Sequence, residues 1–337
     1  MPIHRGVQKV KVFFIASPGS RVVARKGGIY VVRKIGEGLE RVSIPPDVDA
    51  VIIASSRVGV SSKAISLAAS RGIDIVFLDH TGFPVARVYP PYISKTIATR
   101  VAQYTLFPRD FGKKLARELI YTKIVNQAEV VRYLAKNYRD ASLREEAYRV
   151  DSIAIEVKSS ANADVDALRN LEARAAKVYW QAVARTLPKE LSFTGRDHDA
   201  KDPFNMALNY GYAILYSTCE KALLLAGLDP YLGVFHTPKS GKPSLTLDFV
   251  EMFRAVAVDK PLIINAKRIR FEVSENRLDY ETRRGVAKAV LENLSSSYLY
   301  TKASKRLELS EIIKREAWEL AICIREAKEY RGFRASL

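Results

Sequence analysis

The hydrophobic period of this chain changes once, near residue 94, and that change limits what it can fold into. Through about residue 92, the runs KVKVFFIA, RVVARKG, GIYVVRKIG and ERVSIP are separated by Pro-Gly, Gly-Gly and Gly-Glu-Gly turns, the punctuation of strands. AVIIASS and IDIVFLD are more continuously apolar, as strands covered on both faces are. SSKAISLAASRG, between them, has the start signal, spacing and terminal glycine of a short helix. TGFPVARVYPP closes this part with a hairpin and a proline stop. Apolar residues then recur at three- and four-residue steps through IATRVAQYTLF and FGKKLARELIYTKIVNQAEVVRYLAK, the period of amphipathic helices. Further helices are expected over 142–158, 164–187, 203–226, 245–257, 281–303 and 308–330, with loops at 188–202 and 231–244. The expected fold class is α+β, with a β-rich N-terminal domain over 1–92 and a larger all-α domain over 93–337.

A chain of 337 residues, 48% of them hydrophobic, can bury a core in each of two such domains. Lys and Arg number 54 against 37 Asp and Glu, a formal charge of +17 that draws in phosphate backbones from a distance. The excess is shared, with 13 basic against 6 acidic residues in 1–92 and 41 against 31 in the rest. Nucleic acid is the partner this charge favours, over a ribosome-associated protein or a merely soluble basic surface. Cys219 and Cys323 are the only cysteines, which excludes a disulfide framework and a four-thiolate zinc site. A reduced, cytoplasmic compartment fits that usage. The apolar run over 12–16 is too short for a signal-peptide core, and no segment approaches twenty uninterrupted apolar residues, so no membrane is expected.

Four side chains carry the candidate chemistry: Glu172 in one helical stretch, then His236, Asp248 and Glu251 within LDPYLGVFHTPKSGKPSLTLDFVEMFR. Carboxylates with one imidazole suit Mg²⁺ or Mn²⁺, and in a basic protein they point to metal-assisted work on a polyanion. Asp248 and Glu251 stand three apart in an expected helix and share a face, with Ser244 and Thr246 just upstream as caps. His236 precedes them in a loop whose Lys239 and Lys242 are placed to meet phosphate oxygens. Each residue also has a plainer reading. Glu172 is then a solvated carboxylate paired with Arg174 or Lys177, His236 a core histidine, and Asp248 an acid favoured by the helix dipole. Other features are set aside. Arg196-Asp197-His198-Asp199 with Asp202 lies in a polar loop, Gly241-Lys242-Pro243-Ser244 follows no strand, and no helix follows Gly36-Glu37-Gly38. Tyr210, Tyr212, Tyr216, Tyr298 and Tyr300 read as packing aromatics before base-stacking ones. The basic ending EYRGFRASL reads as a DNA contact or a frayed end.

LNYGYAILYSTCEKALLLAGLDPYLGVFH followed by LTLDFVEMFR resembles the core motif of the CRISPR-associated adaptation nucleases, the integrases that install new spacers. The resemblance extends over nearly the whole chain. RNLEARAAKVYW is similar to the family's glutamate-bearing helix, with Ala173 where glycine is common. LARELIYTKIVNQ matches an Arg…Lys…Asn-Gln helix through Arg117, Lys123, Asn126 and Gln127. SPGS, IIASSRVGVSSKAISLAASRGIDIVFLD and GFPVARVYP resemble its N-terminal β domain, and Asp202, Pro203 and Asn205 its Asp-Pro-x-Asn helix start. The resemblance implies a metal-dependent DNA endonuclease and integrase, its catalytic site in the helical domain. The 3′-hydroxyl of a captured fragment would be joined to the repeat array by transesterification. It implies Glu172, His236 and Glu251 as ligands of Mg²⁺ or Mn²⁺, with Asp248 supporting the site, binding a second ion, or replacing Glu251 as third ligand. The implied partners are duplex and branched DNA, a second copy joined through the β domains, and a small ferredoxin-like protein completing a heterohexamer. A structure-specific repair nuclease and a non-catalytic DNA-binding scaffold are the rival readings.

Overall fold

Lys26 and Gly27 both have positive φ, 45° and 74°, and turn the chain tightly between β2 (Arg21–Arg25) and β3 (Gly28–Ile35). The computed structural model describes residues 12–36, 38–48, 50–79, 84–88, 97–160, 164–199, 201–274 and 277–337. It divides into two compact units, Met1–Tyr92 and Ile93–Leu337. The lysines at 9 and 11, the glutamate of the Gly-Glu-Gly turn and the proline stop near 90 lie outside the described residues.

The first unit holds two four-stranded sheets. One has the order β1 (Val12–Ile15), β5 (Ala50–Ile53), β7 (Asp74–Leu78) and β8 (Pro84–Val88), with β8 alone antiparallel to its neighbour. The other has the order β4 (Gly38–Ile44), β3, β2 and β6 (Gly59–Val60). Between β6 and β7 runs α1 (Ser62–Ser70), capped by the Ser61 hydroxyl and followed by Gly72 at φ +69°. Val22, Ile29, Ile53, Ala64, Ala68 and Ile75 form part of one core between sheets and helix.

The second unit begins with α2 (Ile97–Leu106), α3 (Asp110–Tyr138), α4 (Ala141–Ser159) and α5 (Val165–Ala184). Asp140 and Asp164 cap α4 and α5 by accepting from backbone N–H groups. Asp202 caps α6 (Pro203–Leu225) in the same way, with Pro203 at its first position. Helix α6 is buried along most of its length, including Phe204, Leu208, Tyr210, Ile214 and Cys219, so neighbours can surround it. There follow α7 (Ser244–Val250), a π-helical segment Ala255–Asp259, α8 (Lys260–Ile264), α9 (Tyr280–Leu294) and α10 (Leu309–Arg325).

Two expectations fail here. The helix expected over 281–303 stops at Leu294, and β11 (Ser297–Tyr300) pairs antiparallel with β12 (Lys305–Glu308). A smaller pair, β9 (Val273–Ser274) and β10 (Arg277–Leu278), also lies within this otherwise helical unit. The helix expected over 245–257 loses the α hydrogen-bond pattern after Val250 and continues as the π-helical segment Ala255–Asp259. No described helix is long and apolar enough to cross a membrane.

Candidate active site

Lys123, Asn126 and Gln127 lie on the buried face of α3, at helical spacing with Leu119, Ile120, Val130 and Leu134. A buried cation requires a partner, because desolvation would otherwise expel its charge. Lys123 has two. Its ammonium bonds Glu172 Oε1 and lies 2.7 Å from Glu251 Oε2. Glu172 comes from α5, four residues after buried Leu168 and three before buried Ala175, which turns it inward. Arg174, one candidate partner for Glu172, instead reaches Glu156 at 2.8 Å.

Glu251 stands just beyond α7 with its side chain 3% exposed, 2.9 Å from Arg254 Nη1. Burial alone would raise its pKa, but Arg254 and Lys123 outweigh that effect and hold it near 2. Lys123 is raised despite burial because Glu251 and Glu172 favour its charged form. Glu251 Oε2 makes no hydrogen bond of regular geometry.

His236 is fixed differently. The Asp248 carboxylate, its side chain fully buried, accepts from the N–H groups of Val234 (2.6 Å), Phe235 (3.0 Å) and His236 (2.8 Å). Its Oδ1 also lies 2.7 Å from His236 Nδ1. A carboxylate only accepts, so Nδ1 carries a proton in this pair, and in the neutral imidazole the lone pair is then on Nε2. Both Asp248 oxygens are thereby engaged within the protein.

The loop before His236 is tied at two more points. Buried Gln103 of α2 donates to the carbonyls of Asp229 (2.9 Å) and Leu232 (3.0 Å) and accepts from Asp229 N–H at 2.9 Å. The Ser244 hydroxyl accepts from Gly233 N–H at 2.9 Å and donates to the Tyr231 carbonyl. A Cβ on Gly233 would sit 2.5 Å from Asp248 Oδ2 and 2.7 Å from the Ser244 carbonyl carbon. Gly233→Ala is therefore expected to lower stability by about 1–3 kcal/mol, read as a shift in urea midpoint. An unchanged midpoint would mean that Asp248 and Ser244 yield freely.

Behind Glu251, Arg254 bonds the Tyr216 hydroxyl and lies over the rings of Tyr212 and Tyr216, 5.0 and 5.3 Å from their centroids. The Tyr212 and Tyr179 hydroxyls donate to Asp259 at 2.6 and 2.8 Å. Burial raises the Asp259 pKa from 3.8 to about 6, against the opposing pull of the tyrosines and Arg254. Its stabilising contribution is full below the unfolded value and is lost as pH rises through the folded one, about 3 kcal/mol in all. Asp259→Asn lacks this titration. The stability advantage of wild type over the variant is expected to shrink by that amount between roughly pH 3.5 and 7.5 in urea melts. A difference constant with pH would exclude this account.

The four predicted residues thus fall into two linked pairs, Glu172 with Glu251 through Lys123, and His236 with Asp248. Among the described residues, no three ligating side chains are gathered to hold a metal ion as they stand. The donor chemistry nonetheless suits a divalent cation. Two carboxylates from different elements already converge on one positive charge, one of their oxygens lacks a regular hydrogen bond, and an imidazole nitrogen carries a lone pair.

Sequence reasoning missed Arg254, Asp259 and Gln103, and gave Lys123 no role. The available signal was the placement of Lys123 on an apolar helix face. Lys239 and Lys242 are exposed on a tight turn closed by a 3.0 Å hydrogen bond between them. Tyr210, Tyr212, Tyr298 and Tyr300 are buried, as packing aromatics are.

Comparison with known proteins agrees with this architecture. A family model described as "CRISPR associated protein Cas1" matches residues 13–292. The CRISPR-associated endonuclease Cas1 of Hyperthermus butylicus is 36% identical over 329 residues, covering 96% of this chain and 98% of that protein. Among solved structures, a casposase bound to integration product superposes with TM-score 0.83 at 24% identity, covering 95% of this chain and 92% of that one. A Cas6-RT-Cas1–Cas2 complex gives TM-score 0.74 at 19% identity, covering 99% of this chain and 38% of that one. With the family model matched over most of its length and a relative above 30% identity end to end, this chain belongs to the Cas1 family of CRISPR-associated proteins.

Proposed function

We propose that this protein is a metal-dependent DNA endonuclease and integrase of CRISPR adaptation, with Glu172, His236 and Glu251 holding Mg²⁺ or Mn²⁺. The observation that carries the reading is the convergence of Glu172 and Glu251 on one buried cation, beside a histidine oriented by Asp248. Asp248 uses both oxygens within the protein, which favours Glu251 as third ligand and makes Asp248 a positioning residue. A bound divalent ion would supply Lewis-acid stabilisation of the phosphate and a lowered pKa for the attacking oxygen.

The chain's own residues set up the rest. In the joining step a fragment 3′-hydroxyl oxygen forms a bond to phosphorus at the repeat edge, and the bond to the repeat strand's 3′-oxygen breaks. The hydroxyl proton ends on that leaving oxygen, so the number of phosphodiesters is conserved. With water in place of the hydroxyl, the same displacement is hydrolysis. Lys123 and Arg254 offset the negative charge of Glu172 and Glu251, so the site does not present two bare carboxylates to an anionic phosphate. Toward the N-terminal end of α3, a cavity of about 750 Å³ is lined by Lys114, Arg117, Lys158, Lys302, Arg331 and Arg334 against two acids, Glu118 and Glu329, an excess of positive charge suited to a phosphate backbone.

The partners follow from family membership and remain part of this proposal. They are duplex and branched DNA, a second copy joined through the β-rich unit, and a small ferredoxin-like protein in a heterohexamer, all in the cytoplasm. The solved relatives include a casposase with its integration product and a Cas1–Cas2 assembly, which supports both the DNA and the partner. The test is strand transfer from a labelled 3′-hydroxyl duplex into a repeat-bearing supercoiled plasmid, with the small partner and Mn²⁺ or Mg²⁺. Metal-dependent joining that disappears in Glu172→Ala and His236→Ala is expected. Cleavage without joining would mean a repair-type nuclease, and DNA binding with no reaction a scaffold.

A further inference from the structure

Beyond α10, residues 326–337 form no helix or strand, yet Tyr330 and Phe333 are buried and the stretch is bonded to α3 from Gly332 onward. Gly332 N–H donates to Glu118 Oε1 at 2.9 Å, Ala335 N–H to Asn126 Oδ1 at 2.9 Å, and Leu337 N–H to Glu129 Oε1 at 2.8 Å. This is a docked segment rather than a frayed end.

Its anchor is Asn126, a side chain with no exposure. The amide nitrogen donates to the Phe333 carbonyl at 2.9 Å and to the Met252 carbonyl at 2.7 Å. Met252 is the residue after Glu251. The next, Phe253, stacks on the Phe333 ring with centroids 5.9 Å apart and planes 17° from parallel. A Cβ on Gly332 would lie 2.7 Å from Met252 Sδ and 2.5 Å from Thr122 Oγ1, so the segment packs directly on those two side chains. The final segment therefore grips both residues that follow Glu251.

That grip falls where the backbone needs outside support. Between Val250 and the π-helical Ala255–Asp259 the α hydrogen-bond ladder is interrupted although Glu251 and Arg254 keep right-handed helical dihedrals, which frees carbonyls from regular pairing. Asn126 supplies the Met252 carbonyl, and the Asn293 amide supplies those of Val256 and Ala257 at 2.9 and 3.2 Å. Glu251 and Arg254 both project from this externally supported stretch.

We propose that residues 330–337 are a positioning element for the active site, holding Glu251 and Arg254 in place through Asn126 and the Phe253–Phe333 stack. Its consequence for metal binding rests on the function proposed above; its consequence for the 250–258 backbone does not.

The test uses the full chain. Phe333→Ala removes the stack, Ala335→Pro removes only the N–H that Asn126 accepts, and Phe333→Leu keeps apolar cover. Amide hydrogen exchange of the metal-free proteins is followed by mass, with Mn²⁺ and duplex DNA affinities measured alongside. Phe333→Ala and Ala335→Pro are expected to speed exchange over 250–258 by at least about tenfold, leaving α4 unchanged. Mn²⁺ affinity falls in parallel, and Phe333→Leu stays near wild type. Exchange over 250–258 that is unchanged, or raised equally in α4, would overturn the proposal. Lost DNA affinity with unchanged exchange would also overturn it, making Arg331 and Arg334 the segment's purpose. Wild-type protein that binds no Mn²⁺ would defeat the proposed function while leaving the exchange result to decide this one.

Discussion

On the proposed function, Asp248→Ala is expected to reduce DNA joining about as far as His236→Ala does, although Asp248 acts there as a positioning residue rather than a ligand. Its carboxylate answers four donors at once, three of them consecutive backbone N–H groups. Each buried donor left unpaired costs about 1–3 kcal/mol, so the 234–236 turn loses its reason to hold this shape. The imidazole also loses the acceptor that fixes its tautomer, and removal of such a partner commonly costs about 10–100-fold in metal affinity or activity. Initial joining rates should thus fall by at least that factor, with a urea midpoint lowered by the equivalent of about 3–5 kcal/mol. The double variant Asp248→Ala/His236→Ala should be scarcely slower than either single one, because both act on the same imidazole. An Asp248→Ala protein that joins DNA at the wild-type rate would show that the histidine needs no support.

The same carboxylate shows why the site was only partly legible in the sequence. Asp248 and Glu251 read alike as two acids on one helix face, yet one accepts from backbone and the other from cations. What separates them is the path of the loop at 229–236, set by Gln103 more than a hundred residues earlier. No local spacing encodes that contact. Glu172 was more legible, since its register with Leu168 and Ala175 faces it inward.

The fold divides in the same way. The β-to-α switch was plain because dozens of residues kept each period. The π-helical AVAVD stretch is too short for its period to be told from an α-helix, so the helix expected over 245–257 ran past its end. Ser297–Tyr300 alternates exposed and buried, but four residues between helical patterns are too few to be read as a strand.

Lys123→Met is expected to make the stability of this protein depend on divalent metal far more than wild type does. In the structure the Lys123 ammonium neutralises Glu172 and Glu251, and Glu251 keeps its charge at a pKa near 2 through Arg254 and Lys123 together. Methionine keeps the length of the side chain and removes the charge. The buried carboxylate of Glu251 is then left with Arg254 alone, a loss of about 3–5 kcal/mol in metal-free buffer. The carboxylates freed of their ammonium are better ligands, so Mn²⁺ should bind the variant more tightly than it binds wild type. At a concentration a hundred times its Kd, the ion should return about 2.7 kcal/mol of stability. Wild type should gain less at the same concentration, because there the ion must compete with a charge already in place. Thermal melts across a Mn²⁺ titration read this directly, as a larger rise in Tm for the variant. Equal rises in both proteins would mean that Lys123 and the ion do not share Glu172 and Glu251. Chelated buffer free of divalent metal should leave the variant's deficit in full, since the missing positive charge is then supplied by nothing.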